Sequence, residues 1–418
     1  MVYISMQSET KLCQNCKKEF VIEQADFDFY KKMSVPPPTW CPECRMIRRI
    51  VWGNNSWKLF RRPDSLTGKE LFSGLHRDAP VKVYEPAVWQ SDAWDPLEYG
   101  QNYNFSRPFF TQFNELMHAV PWPSRTILRV TDSVYVNSVS DAKSSYLCFA
   151  GVGIEKSAYV ISFTHVTDGF DLYESRHSEL CYDSYMVDES DRVFFSVKCE
   201  DSVDIWFSKN LIGCMNCFGC ANLRNKQYSI FNKPVGKDAY QKFIKEFKSG
   251  SSNVVEKMRI KSQEFWMKYP NRFTFAINTV NSSGEHIEHT KNVHRSYFVH
   301  EAEDLKYCQL LEDARDAYDY TDWGQGAERI YEAVAVGEEV ADIKFSCECW
   351  PSSRGIEYSL LCRSSSDLFG CVGLKKKKYC ILNKQYTKEE YKKLREKIIA
   401  HMNEMPYVSP RGQTYTYG

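Results

Sequence analysis

Cys13-Gln-Asn-Cys16 and Cys41-Pro-Glu-Cys44 are two C-x2-C pairs with 24 residues between them. Four thiolates so spaced suit tetrahedral zinc, which binds sulfur tightly and brings no redox chemistry of its own. Four protein ligands leave no open position for a substrate, so the expected role is structural, one Zn²⁺ holding a small module together. Such a site supplies roughly 10–16 kcal/mol of apparent binding energy near pH 7. The competing reading is four unrelated buried cysteines. Directly after the second pair, Arg45, Arg48, Arg49 and Trp52 fall at i, i+3, i+4 and i+7, one face of a helix, and Lys58, Arg61 and Arg62 follow. Guanidinium forks suit phosphate and an indole can stack on a base, so these seven residues form the candidate nucleic-acid site, for RNA or DNA. The bland alternative is a solvated basic face with Trp52 packed on a neighbouring domain.

Weaker constellations lie further on. Cys214, Cys217 and Cys220 have the look of a metal motif, but inward cysteines stacked in a repeat explain them as well. His286, His289, His294 and His300 cluster, yet on a plain strand i and i+3 point to opposite sides, which favours a solvent-facing turn. Lys375 to Lys378 reads as a charged run guarding a strand edge or touching phosphate. Carboxylates recur at Asp188, Glu189 and Asp191 and at Glu312, Asp313 and Asp316, and a solenoid glycan enzyme would need two of them to converge. No nucleophile elbow, H-E-x-x-H, P-loop or Rossmann glycine pattern is present, which disfavours the commonest enzyme classes.

The elements that must position these residues are read from composition and periodicity. Lys plus Arg and Asp plus Glu number 54 each, so no whole-molecule field selects nucleic acid or an anionic membrane. Aromatics make up 15% of the chain, which favours strands packed by rings. Met1 to Glu9 lacks an export-signal pattern and no stretch approaches a membrane span. The sixteen cysteines then read as metal ligands or buried thiols of a soluble, cytoplasmic protein, whose oligomeric state is left open. The expected division is a zinc-ribbon module over 1–55, a connector over 56–128, a first β-solenoid block and cap over 129–234, a helical insertion over 235–272, a second block and cap over 273–386, and a C-terminal helix and loosely held tail over 387–418.

The solenoid reading rests on aromatic anchors recurring every 9–14 residues or so, from Tyr135, Tyr146, Tyr159, Tyr173 and Tyr182 to Phe218, and again from Phe298 to Phe369. Both series end alike. Phe218 to Lys233 aligns without gaps on Phe369 to Lys384, and an amphipathic helix follows each, which makes a duplication the economical explanation. Polar turns between short strands suggest stacked coils, with hairpin and helix covering each open end.

The segment Cys13-Gln-Asn-Cys-Lys-Lys-Glu-Phe20, with Glu23-Gln24, Phe29-Tyr30 and Pro38-Thr-Trp-Cys-Pro-Glu-Cys-Arg45, resembles the zinc-ribbon domains that pair C-x2-C with C-P-x-C-R. With Asp95-Pro, Tyr99-Gly and the Phe-Gly-Cys caps followed by Asn-Lys, the chain looks like an uncharacterised zinc-ribbon plus cysteine/aromatic-repeat family of metagenomic bacteria of the candidate-phyla kind. That family implies a second cysteine ribbon at 60–90, where this chain has no cysteine. The fold expected is mainly β: an N-terminal zinc ribbon or treble-clef-like module, then two parallel β-helix-like solenoid blocks, each capped by a hairpin and an amphipathic helix. The function expected is a non-catalytic zinc-binding scaffold that binds a macromolecule, with a β-solenoid carbohydrate-active enzyme and a protein-interaction or assembly module as the rivals.

Overall fold

Through the long β region nearly every third residue turns left-handed. Asp141, Ser144, Leu147, Ala150, Lys156, Tyr159, Ser162, His165 and Asp168 all have φ between 49° and 59°. Residues with a Cβ disfavour that region, so it persists here because the surrounding hydrogen bonds over-determine it. Each left-handed residue ends a three-residue side with one side chain inward, as for Val136, Val139, Ala142, Ser145 and Cys148. Four such sides make a coil of twelve, seen in the parallel register Ile127, Val139, Gly151, Phe163, Ser175, Val187, Cys199, Leu211. The structure, a computed structural model, describes residues 8–53, 57–247, 250–321, 324, 326 and 329–418. Most of the Met1 to Glu9 segment, on which the reading of the start rests, lies outside them.

Inward serines close the hydrogen bonds of the coils. Ser196 Oγ donates to Phe194 O two residues back (2.8 Å) and accepts the N–H of Ser208 one coil on (3.0 Å), and Ser208 passes the pattern to Cys220 (3.0 Å). Ser184, Ser190 and Ser202 repeat it in the first block, and Ser296, Ser346 and Ser359 in the second. Cysteine donates in the same way, as in Cys148 to Tyr146 O (3.4 Å), and Cys220 Sγ also accepts, from Asn232 N (3.4 Å). Because this repeat advances by three residues per side, His286 and His289 occupy equivalent left-handed positions on successive sides. The two histidines therefore do not alternate across a sheet as i and i+3 would on a plain strand.

Chain order begins with a hairpin of β1 (Glu9–Leu12) and β2 (Glu19–Ile22), then α1 (Gln24–Lys32) and α2 (Pro42–Gly53). The connector follows with β3 (Phe60–Pro63) paired to β4 (Glu70–Ser73), α3 (Pro86–Gln90) and α4 (Phe109–Ala119). The first solenoid block runs from Ile127 to Ile230, and α5 (Lys237–Glu246) and α6 (Ser252–Trp266) come next. The second block runs from Ala276 to Ile381 and leads into α7 (Lys388–Glu404). Its coils lengthen to thirteen residues where Tyr318, Tyr331, Lys344 and Glu357 stand in register, then return to twelve at Phe369 and Ile381.

Each block ends in a short antiparallel pairing, Ile230 with Lys233 and Ile381 with Lys384. An asparagine closes the last coil with its side chain. Asn232 accepts from Ala221 N (2.8 Å) and donates to Ala221 O (2.9 Å), and Asn383 does the same for Val372. The helices that follow lie on the outward aromatic face: Tyr240 of α5 shares a buried cluster with Phe207 and Phe218, and Tyr391, Ile398 and Met402 of α7 belong to the cluster holding Phe369 and Ile381. Asn383 Nδ2 also donates to Pro96 O (3.0 Å), which ties the connector to the second cap. A Cβ on Gly100 would stand 2.7 Å from Asn383 O, so glycine is required at that approach.

The N-terminal module does not stand free. Its hairpin, α1 and α2 join α4, α7 and the aromatic face of the second block in one hydrophobic cluster. The tail, expected to be loosely held, is docked too. Tyr417 is buried and its hydroxyl donates to Glu357 (2.9 Å), while Gln413 donates to Asn15 beside the cysteines (2.9 Å). No helix among the described residues is long and apolar enough to cross a membrane.

Candidate metal centre

The β1–β2 hairpin carries Cys13 and Cys16 on a tight turn, in which Lys17 adopts φ 62° and donates to Cys13 O (3.0 Å). Cys41 precedes α2 and Cys44 lies in its first turn, where free N–H groups favour negative charge. Cys41 N donates to Cys13 Sγ (3.2 Å) and Asn15 Nδ2 to Cys44 Sγ (3.3 Å). Burial pushes the Cys13 thiol up, but N–H groups of Cys16, Cys41 and Asn15 outweigh it and bring it down to about 6. Burial pushes the Cys41 thiol up.

All four sulfurs lie within 4.8 Å of one another, with Cys16 and Cys41 3.8 Å apart. A tetrahedron with metal–sulfur bonds of about 2.3 Å has edges of about 3.8 Å, so the donor set fits a tetrahedral ion. Cys13, Cys41 and Cys44 are buried and Cys16 is exposed. The cluster can hold a metal ion whose coordination the protein alone completes.

The arginines beside it do share one face of α2, and that face is turned inward. Arg45 Nε donates to Asp319 Oδ2 (2.8 Å) and its Nη1 to Trp40 O (2.6 Å). Arg49 pairs with Asp319 (3.2 Å) and donates to Thr321 Oγ1 (3.0 Å), and Arg48 pairs with Glu332 and lies over the Trp40 ring (4.7 Å). Arg45 and Arg49 are only 1% and 2% exposed, so in this arrangement their guanidiniums meet carboxylates of the second block and have no room for a phosphate. Next to them Phe29 stacks on Tyr318 at 3.9 Å, and Lys306 reaches Glu23 (2.6 Å) and Asp26 (2.7 Å). Trp52, Lys58 and Arg61 face outward, with Arg61 3.5 Å from Glu70. Arg62 is buried, donating to His76 O (3.1 Å) and Val81 O (2.8 Å). The seven residues are therefore not brought together as one surface.

Among the described residues Cys214, Cys217 and Cys220 are buried core thiols bonded to backbone carbonyls two residues back. Lys375 is held against Trp89 of the connector, its ammonium 4.5 Å from the ring, so that end of the lysine run is an internal contact. Asp188 pairs with Arg176 (2.9 Å) and Glu189 with His177 (3.2 Å) on the surface. Asp319, Glu332 and Lys306 escaped sequence reasoning, although Tyr318-Asp319 and Tyr331-Glu332 repeat an aromatic–acid step that was visible as a pattern. No protein-family model and no curated protein matches the chain.

On the first block the corresponding outward row runs Val134, Tyr146, Ala158, Phe170, Tyr182, Phe194, Trp206, Phe218 and Ile230 in register. Its C-terminal half lies under α5 and α6. Its N-terminal half is open apart from the small, buried Ala158: Val134, Tyr146, Phe170 and Tyr182 are 53%, 39%, 43% and 41% exposed, and Tyr159, next to Ala158, is 50% exposed.

Proposed function

We propose that this chain is a non-catalytic scaffold for a macromolecular partner, in which one structural Zn²⁺ holds a ribbon or treble-clef-like module against a β-solenoid. The partner is a protein, seated on the open aromatic row of the first block. The observation that carries this reading is the exposure of Val134, Tyr146, Tyr159, Phe170 and Tyr182 along one face, since contiguous exposed apolar patches mark interaction sites. Reduced cysteines at the metal centre go with a cytoplasmic location.

The test replaces Tyr146, Tyr159 and Phe170 together by serine in the full-length, metal-loaded protein. Elemental analysis is expected to give one zinc per chain for both forms. Proteins captured from the source cell are expected to include a set that the variant loses while its circular dichroism is unchanged. The reading fails if the captured set is identical. Nucleic acid remains a second reading because Trp52, Lys58 and Arg61 do face solvent. It predicts salt-dependent RNA or DNA binding that Lys58→Ala with Arg61→Ala weakens.

A further inference from the structure

The two blocks can be superimposed in sequence by their caps, and the register then carries the correspondence backward. Phe218 and Phe369 open the matching caps. Four coils earlier stand Phe170 in the first block and Tyr318 in the second, and three coils earlier Tyr182 and Tyr331. The residues that follow these rings are Asp171 and Asp183 in one block, Asp319 and Glu332 in the other. One coil further back, Tyr159 corresponds to Tyr307. All five positions match in chemistry, although the coils between them differ in length.

In the second block this set is a filled seat. Arg45 lies over Tyr307 (5.5 Å) and bonds Asp319, Arg48 takes Glu332, and aromatic rings of α1 pack on Tyr318 and Tyr331. In the first block it is half filled by the same chemistry. Arg259 of α6 pairs with Asp183 (2.6 Å) and lies over Phe195 (5.4 Å). Tyr159, Phe170 and Asp171 remain exposed. Burial and then repulsion from Asp183 raise the Asp171 carboxyl above its usual range, as fits an anion short of a cation.

We propose that Tyr159, Phe170, Asp171 and Tyr182 form a second seat, which receives an amphipathic helix of a protein partner bearing arginines at i, i+3 or i+4 beside an aromatic ring. This rests on the scaffold reading above and names the partner's chemistry. Asp183 is already met by Arg259, and Asp171 is the carboxylate left among the rings; it repels a phosphate backbone and attracts guanidinium, so the seat selects a basic helix over nucleic acid.

The experiment titrates full-length, metal-loaded protein into fluorescein-labelled helical peptides and follows anisotropy. One peptide carries the arginines and a phenylalanine, a second has every arginine changed to glutamine, and a single-stranded RNA oligomer serves as the third probe. The arginine peptide is expected to bind about tenfold tighter than the glutamine peptide at low salt, the scale of one charge-assisted contact. Asp171→Asn is expected to erase that difference and Phe170→Ser to weaken both peptides, each with an unchanged melting temperature. Equal binding of the two peptides, with Phe170→Ser still weakening both, overturns the arginine seat but leaves the aromatic-row reading standing. Peptide binding indifferent to Phe170→Ser, or none at all, overturns both. RNA binding that depends on Phe170 would also overturn the basic-helix assignment.

Discussion

Glu332 is nearly buried between Arg45 and Arg48, 3.6 Å from the Arg45 Nε, and the second block meets the four-cysteine module through it and Asp319. Burial alone would raise its carboxyl, but Arg48, Arg45 and Arg49 outweigh that and hold it below the usual range. A depressed folded value means that its contribution is fully present above the unfolded value of about 4.3 and is lost as pH falls through the folded one. Glu332→Gln is therefore expected to cost about 3–5 kcal/mol at neutral pH, the range for breaking a buried pair, and the gap from wild type should close in acid. Denaturant unfolding from pH 7 down to pH 3 reads that gap, and a gap independent of pH would contradict the pairing. The four cysteines were legible because their spacing is itself the chemistry. The direction of Arg45 and Arg49 was not, since helical periodicity shows that residues share a face without showing what covers it. Arg45 finds its acid 274 positions away, in a segment that looks locally like any polar turn.

The coil is legible only in part for a different reason. Rings occupy two adjacent rows, as at Phe194 and Phe195 or Trp206 and Phe207, and a third row at Tyr173 and Tyr185. Choosing one ring per coil from among three rows turns the twelve-residue repeat of the first block into apparent spacings that wander. The feature that sets the period is the small inward residue, serine or cysteine, whose hydroxyl or thiol serves the backbone. Ser196→Ala removes both the acceptor for Ser208 N and the donor to Phe194 O from a site that is 1% exposed. Leaving a buried backbone group unpaired costs roughly 1–3 kcal/mol, so a loss of that order in unfolding free energy is expected. Ser196→Cys should fall well short of it, because Cys220 already donates to Phe218 O (3.4 Å) and accepts from Asn232 N (3.4 Å) at an equivalent position. If alanine and cysteine were equally tolerated, the ladder would contribute packing alone.

At the scale of the whole molecule, segments from both ends of the sequence converge on one stretch of the second block. The cysteine turn receives Gln413 through Asn15, Tyr415 lies near Trp40 with rings 6.3 Å apart, and Gly418 N donates to Tyr358 Oη (2.8 Å). The module has little core of its own, so its order depends on the ion that the four sulfurs can hold and on the arginine contacts that α2 makes beyond them. Solenoid coils, in contrast, are stabilised mainly by their neighbours. Chelating the metal should accordingly act locally and at two places in the sequence at once. Hydrogen exchange measured with and without a strong zinc chelator is expected to rise over residues 8–53 and over 403–418 together, with Tyr318 and Tyr331 becoming accessible, while 136–230 stays protected. Release of the first segment with the tail still protected would show that the tail is held by Glu357 and Tyr358 alone, and the metal centre would then fasten one end of the chain and not both.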